Sequence, residues 1–178
     1  MKPTARPILI VPGYRNSGPG HWQTFLEARF ASARRVHMPC FEEPARDAWV
    51  GALDRAVAAC AAPPVLVAHS LGCIAVAHWA QHATRRVHAA LLVAPCDVEK
   101  SDLPGCLRGF APLPQGPLCF PARLVASTND PYVELNRAGE MAFAWGARTH
   151  VVENGGHLNT ASGHGPWPEG EALLSALL

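Results

Sequence analysis

Short apolar runs alternate along this chain with longer stretches in which apolar residues recur every three or four positions. The runs have strand length and carry few polar positions, the pattern of strands buried on both faces. They predict strands over about 7–11, 34–38, 64–69, 87–94, 122–127 and 148–152. The stretches between them predict helices near 20–31, 46–60, 71–83, 132–144 and 168–178. Over 46–60, Trp49, Val50, Leu53, Val57 and Cys60 fall at near-helical spacing while Asp47, Asp54 and Arg55 fall elsewhere, so this helix packs one face. Breakers agree with the boundaries: Pro63-Pro64, Pro95, Pro121 and Gly155-Gly156. Strands alternating with helices imply an α/β fold, a mostly parallel sheet of about six strands covered on both faces. The segment from Lys100 to Pro121, rich in Pro and Gly, follows neither period. It is expected to form an ordered loop over the sheet edge or site mouth, too short for a cap domain and leaving access open.

Composition narrows the picture. With 178 residues, 49% of them hydrophobic, the chain suits one domain over 1–178 with a substantial core. A net charge of +1 and scattered basic residues give no footprint for nucleic acid or an anionic membrane surface, so neither is expected as a partner. The apolar stretches are too short to cross a bilayer, and Ile8-Leu9-Ile10-Val11 stops at Pro12-Gly13, too soon for a signal-peptide core. The six cysteines (40, 60, 73, 96, 106 and 119) form no C-x-x-C pair, which favours free thiols in a reducing cytoplasm. Nine histidines raise the question of a metal, but no H-E-x-x-H occurs. His78 and His82, four apart, read as a solvated helix edge, and no metal or other cofactor is expected.

The chemistry begins at Ser70. Val65-Leu66-Val67-Ala68-His69-Ser70-Leu71-Gly72 is a strand run that ends at a serine flanked, two residues to either side, by Ala68 and Gly72. This approximates the G-x-S-x-G elbow, where small neighbours let the chain turn sharply and hold the hydroxyl clear of the sheet. The competing reading is a helix N-cap. Serine needs a base, itself oriented by a third group. His157 follows Val151-Val152 and two glycines, and Asp130 follows the run 122–127, so the order is Ser, Asp, His, as in α/β-hydrolases. Asp97 is a rival acid, and His164 a rival base in Ser162-Gly163-His164-Gly165. Asp130 also reads as a cap for the helix after Pro131. His69 points away from Ser70 along an extended strand and is expected to pack.

An oxyanion needs amide donors. The Leu71 N–H lies at a helix N-terminus. Gly13, in Val11-Pro12-Gly13-Tyr14, is expected to allow an unusual turn that aims the Tyr14 N–H inward. A phosphate loop over 13–20 has neither a G-x-G-x-x-G fingerprint nor a Walker lysine.

Taken together, Val11-Pro12-Gly13-Tyr14, His21-Trp22-Gln23, Ala68-His69-Ser70-Leu71-Gly72, Ser127-Thr128-Asn129-Asp130-Pro131-Tyr132 and Gly156-His157-Leu158-Asn159 through Trp167-Pro168 resemble the small serine hydrolases related to retinoblastoma-binding protein 9. The match spans nearly the whole chain, and its last block is the most specific. The resemblance implies a minimal three-layer α/β-hydrolase fold without a cap domain, with Ser70, Asp130 and His157 as the triad. The L-x-C-x-E motif of the mammalian member has no counterpart in Ala58-Ala59-Cys60-Ala61-Ala62, so pocket-protein binding is not expected.

The reading is a serine hydrolase, carboxylesterase-like or a small amidase or aminopeptidase, cleaving a small ester, thioester or amide through an acyl-enzyme. Asn16, His21, Trp22, Phe110 and Trp167, with Tyr14, are candidate pocket walls. The alternative is a binding or interaction protein that keeps the hydrolase frame with little turnover.

Overall fold

The computed structural model describes residues 5–178. Six parallel strands form one sheet in the order β2-β1-β3-β4-β5-β6. They are β1 (Ile8–Val11), β2 (Ala33–Arg35), β3 (Val65–His69), β4 (Ala89–Val93), β5 (Ala122–Ser127) and β6 (Arg148–Val152). The helices are α1 (Trp22–Arg29), α2 (Arg46–Ala58), α3 (Leu71–Ala80), α4 (Leu135–Trp145) and α5 (Pro168–Ser175). All six predicted strands and five predicted helices are present. The second strand is shorter than 34–38 because Val36 makes one more bond to the Ile10 carbonyl and then leaves the sheet.

Every residue of β1, β3 and β4 is buried, and strand alternation divides them between two cores. Leu9, Val11, Leu66, Ala68, Ala90 and Leu92 face a core shared with Trp49 of α2, Ile74 of α3 and Met141 of α4. Ile8, Ile10, Val65, Val67, Leu91 and Val93 face the other, shared with Trp22 and Leu26 of α1 and Leu173 and Leu174 of α5. The helices therefore cover both faces, as uninterrupted apolar strands require. The outer strands β2 and β6 carry Arg34, Arg35, Arg148 and His150, and such charge discourages edge pairing with another chain.

The chain runs outward from β1 to β2, then returns to β3 on the other side of β1. The strand order thus reverses between β1 and β3, the place where open α/β sheets form a crevice beyond their carboxyl ends. Gly13 and Tyr14 leave β1 there, and Ser70 leaves β3. The 100–121 segment contains a 3-10 turn, Gly105–Phe110, with Leu103, Leu107, Phe110 and Leu113 buried. His78 of α3 hydrogen-bonds the Phe110 carbonyl at 2.6 Å through Nε2, a structural tie in place of an exposed helix edge.

Candidate active site

Ser70 occupies the turn between β3 and α3 with φ 53° and ψ −123°, a strained backbone for a residue with a side chain. Its N–H donates to the Val93 carbonyl at 3.0 Å, and its carbonyl accepts from the Cys73 N–H at 2.9 Å, so both neighbours hold the turn. Gly72 is small for a packing reason. A Cβ there would stand 2.5 Å from the Val11 carbonyl oxygen and 2.6 Å from that of Pro12, forcing α3 off the end of β1.

The hydroxyl of Ser70 lies 2.9 Å from His157 Nε2. On the far side of the ring, Nδ1 lies 2.8 Å from Asp130 Oδ2 and 3.0 Å from Oδ1. An Nδ1–H facing the carboxylate leaves Nε2 as an acceptor for the serine proton. All three residues are buried, and the Asp130 side chain has no exposed surface. Asp130 Oδ1 also accepts from the Tyr132 N–H at 2.9 Å, so one carboxylate caps its own loop and holds the imidazole.

Neighbours that the sequence reading passed over fix this geometry. Asn129 Oδ1 accepts from the Gly156 N–H at 2.7 Å, and Thr128 Oγ1 from the Asn154 N–H at 2.9 Å, tying the acid loop to the histidine loop. His69 Nε2 donates to the His157 carbonyl at 3.0 Å. Burial, then the neighbouring His157 and His21, hold the His69 imidazole well below the usual histidine range, so it acts as a neutral donor. Tyr132 packs edge-on against the His157 ring with centroids 4.5 Å apart. Asn129 and Tyr132 flank Asp130, a signal present in the sequence. The role of His69 depends on a carbonyl 88 residues away and had no local signal.

The rivals are elsewhere. Asp97 lies 3.5 Å from Arg137 Nε, and its Oδ1 accepts from the Glu99 N–H. His164 Nδ1 lies 3.1 Å from the Ser162 carbonyl oxygen, with the ring against Trp167.

Leu71 supplies the first helical N–H of α3, which has no intrahelical acceptor. A Cβ on Gly13 would meet Ser70 Cβ at 2.9 Å and the His69 carbonyl oxygen at 3.0 Å, with Leu71 N at 3.5 Å. The β1 loop therefore starts beside the first N–H of α3. This corrects the role expected of Gly13: its φ is not positive, and the left-handed residues are Arg15 (φ 62°) and Asn16 (φ 64°). Glycine is needed at 13 for close approach.

A cavity of about 460 Å³ opens onto Ser70 and His157. Tyr14, Asn16 and His21 line it as expected, joined by Arg15, His69, Cys96, Tyr132, Asn159 and the apolar Leu103, Pro104 and Leu107. Burial pushes the Cys96 thiol up to about 12, so it stays protonated beside the serine. Three expected wall residues do not line it. Phe110 is fully buried against Trp49 because the turn it ends needs an apolar anchor. Trp22 is buried with Nε1 donating to the Leu158 carbonyl at 2.8 Å, and Trp167 packs edge-on against Trp22, so the pair supports the histidine loop from behind.

Comparison with known proteins places the chain in a family. The serine hydrolase family pattern matches residues 8–176. YdeN of Bacillus subtilis, described as a hydrolase, is 26% identical over 163 residues, 85% of each chain. A YdeN-like hydrolase from Pectobacterium atrosepticum superposes with a TM-score of 0.85 at 31% identity, over 96% of this chain and 89% of the other. The structure of Bacillus subtilis YdeN gives 0.81 at 24% identity, over 97% and 98%. A family match over nearly the full length, on a six-stranded parallel sheet with a serine at the elbow, leads to one conclusion: the chain belongs to the serine hydrolase family and has a minimal α/β-hydrolase fold.

Proposed function

We propose that this protein cleaves a small ester, thioester or amide with Ser70 as nucleophile, His157 as general base and acid, and Asp130 as the carboxylate that orients the histidine. The observation that carries this reading is the unbroken relay from Ser70 Oγ to His157 Nε2 (2.9 Å) and from His157 Nδ1 to Asp130 Oδ2 (2.8 Å), opening onto a cavity.

His157 Nε2 takes the hydroxyl proton as Ser70 Oγ attacks the carbonyl carbon. Asp130 stabilises the resulting imidazolium without taking its proton. The carbonyl oxygen becomes an oxyanion facing the Leu71 and Tyr14 N–H groups; one such donor is worth about 2.7–4 kcal/mol in a comparable site. Collapse breaks the bond to the leaving group, which departs with the proton from His157. A water molecule then gives a proton to His157 and attacks the acyl-enzyme, releasing the acid and restoring Ser70. The strain at Ser70 serves this sequence by presenting Oγ to both the base and the amide donors.

Labelling with a fluorophosphonate tests the assignment. The folded protein should label at one equivalent, and Ser70→Ala should abolish it. Folded protein that resists the probe would favour a binding protein on a hydrolase frame.

A further inference from the structure

The cleft has two unlike walls. The turn around 103–107 contributes Leu103, Pro104 and Leu107, all apolar. The loop after β1 contributes groups that seek oxygen. Among the described residues lining the cleft, Arg15 alone carries a permanent charge. Its guanidinium lies 5.1 Å over the Tyr14 ring, and none of the ion pairs among the described residues includes it.

The backbone fixes where that side chain leaves the loop. Arg15 and Asn16 are both left-handed, which costs conformational energy that the surrounding bonds offset. The Arg15 N–H donates to the Phe41 carbonyl and the Asn16 N–H to the Gly13 carbonyl, each at 3.1 Å. Asn16 Oδ1 accepts from the Ser17 N–H at 2.8 Å and from Arg35 Nη1 at 3.0 Å.

His21, at the end of the same loop, adds an independent observation. The residue is 5% exposed and lines the cleft. Its Nδ1 accepts from the Gln23 N–H at 3.2 Å, so the neutral ring carries its proton on Nε2. Burial lowers its pKa to about 4, which keeps the ring neutral. That Nε2 is a buried side-chain polar atom with no partner among the described residues. A buried donor without an acceptor is costly, and an oxygen of a ligand relieves the cost.

We propose that the substrate carries a carboxylate in addition to the carbonyl that Ser70 attacks, bound at the 14–21 wall by the charge of Arg15 and the Nε2–H of His21. The substrate class is then an acidic ester or amide, with its uncharged part against Leu103 and Leu107. The inference rests on the serine hydrolase reading above and adds the chemistry of the substrate to it.

Two matched pairs of esters test it and locate the carboxylate. Mono-4-nitrophenyl adipate against 4-nitrophenyl hexanoate places the charge in the acyl group. 4-Acetoxybenzoate against its methyl ester places it in the leaving group. After correction for spontaneous hydrolysis, kcat/KM should favour the acidic member of one pair by about tenfold at low ionic strength, the size of one charge-assisted contact. The ratio should shrink with added salt because Arg15 is exposed. Arg15→Gln should bring it close to one, Arg15→Glu should invert it, and His21→Phe should lower it several-fold, as expected for loss of a hydrogen bond. A wild-type ratio at or below one in both pairs, or one that all three substitutions leave in place, overturns the inference. Fluorophosphonate labelling of the same samples separates the failures. Labelled enzyme without a preference removes the carboxylate alone, whereas folded protein that neither labels nor turns over removes the hydrolase reading and this inference together.

Discussion

The segments that follow β4 and β5 leave adjacent buried strands at the same end of the sheet, and each carries an aspartate within a few residues. Their fates differ. After β5, the polar atoms of Thr128, Asn129 and Asp130 each bond to the loop after β6, ending in the contact between Asp130 and His157. After β4, the chain is held by apolar burial, with Phe110 against Trp49 and with Leu103, Leu107 and Leu113 inside. Its aspartate, Asp97, joins Arg137 in a partly exposed ion cluster with Glu99 and Glu140. Packing is non-directional and decides where a wall stands, whereas hydrogen bonds are directional and decide where reacting atoms stand. The molecule uses one at the cavity wall and the other at the triad.

Exchanging the two aspartates' roles is the strongest way to break this contrast. Asp130→Asn should lower kcat by about 10⁴, as removal of the orienting carboxylate does in a well-studied triad. Asp97→Asn should alter turnover by less than about threefold, because its carboxylate bonds Arg137 and the Glu99 N–H and touches no member of the triad. Steady-state hydrolysis of a 4-nitrophenyl ester measures both, and the opposite ranking would move the acid to Asp97.

Removing the apolar anchor probes the other segment. Phe110→Ala should cost about 3–5 kcal/mol in urea unfolding, the usual penalty for emptying a buried aromatic site. A loss below about 1 kcal/mol would mean that the segment is held by something other than Phe110.

A smaller effect sharpens the polar side. His21 and His69 are held neutral by burial, His21 down to about 4 from 6.5. As pH falls below 6.5, the unfolded chain takes up protons that these folded imidazoles refuse, so stability falls. For His21 the loss accumulates down to about pH 4, where the folded ring also protonates. Each histidine contributes a slope approaching about 1.4 kcal/mol per pH unit. Unfolding of His69→Gln between pH 7 and 5 should show a flatter slope than wild type, and an identical slope would show that His69 is not buried neutral.

Much of this arrangement was legible in the chain. Short apolar runs bounded by Pro and Gly breakers and alternating with helical stretches read as strands covered on both sides, so the parallel sheet and its two helical layers followed from that pattern. Three helices start where expected, at 46, 71 and 168; the other ends fall two or three residues short, apart from the C-terminal end of α4, which runs one residue further, because capping rather than periodicity sets the boundary. Serine, aspartate and histidine were legible because each stands at the end of a strand run in a fixed order. Trp22, Phe110 and Trp167 were misread as cavity walls because a large aromatic in a loop has the same sequence signature whether it faces a ligand or anchors the loop.

The sequence alone determined the layers, the direction of the strands and the residues available for acyl chemistry, because these depend on local periodicity and on residue type. Tertiary structure decided which aspartate meets the histidine, that Gly13 and Gly72 are small to let two chain segments touch, and that His69 steadies a loop 88 residues away. Those outcomes are contacts between segments distant in the chain. They come into being only when the order of strands brings the ends of β1, β3, β5 and β6 to one edge of the sheet, and no local pattern of polar and apolar residues encodes a distance across it.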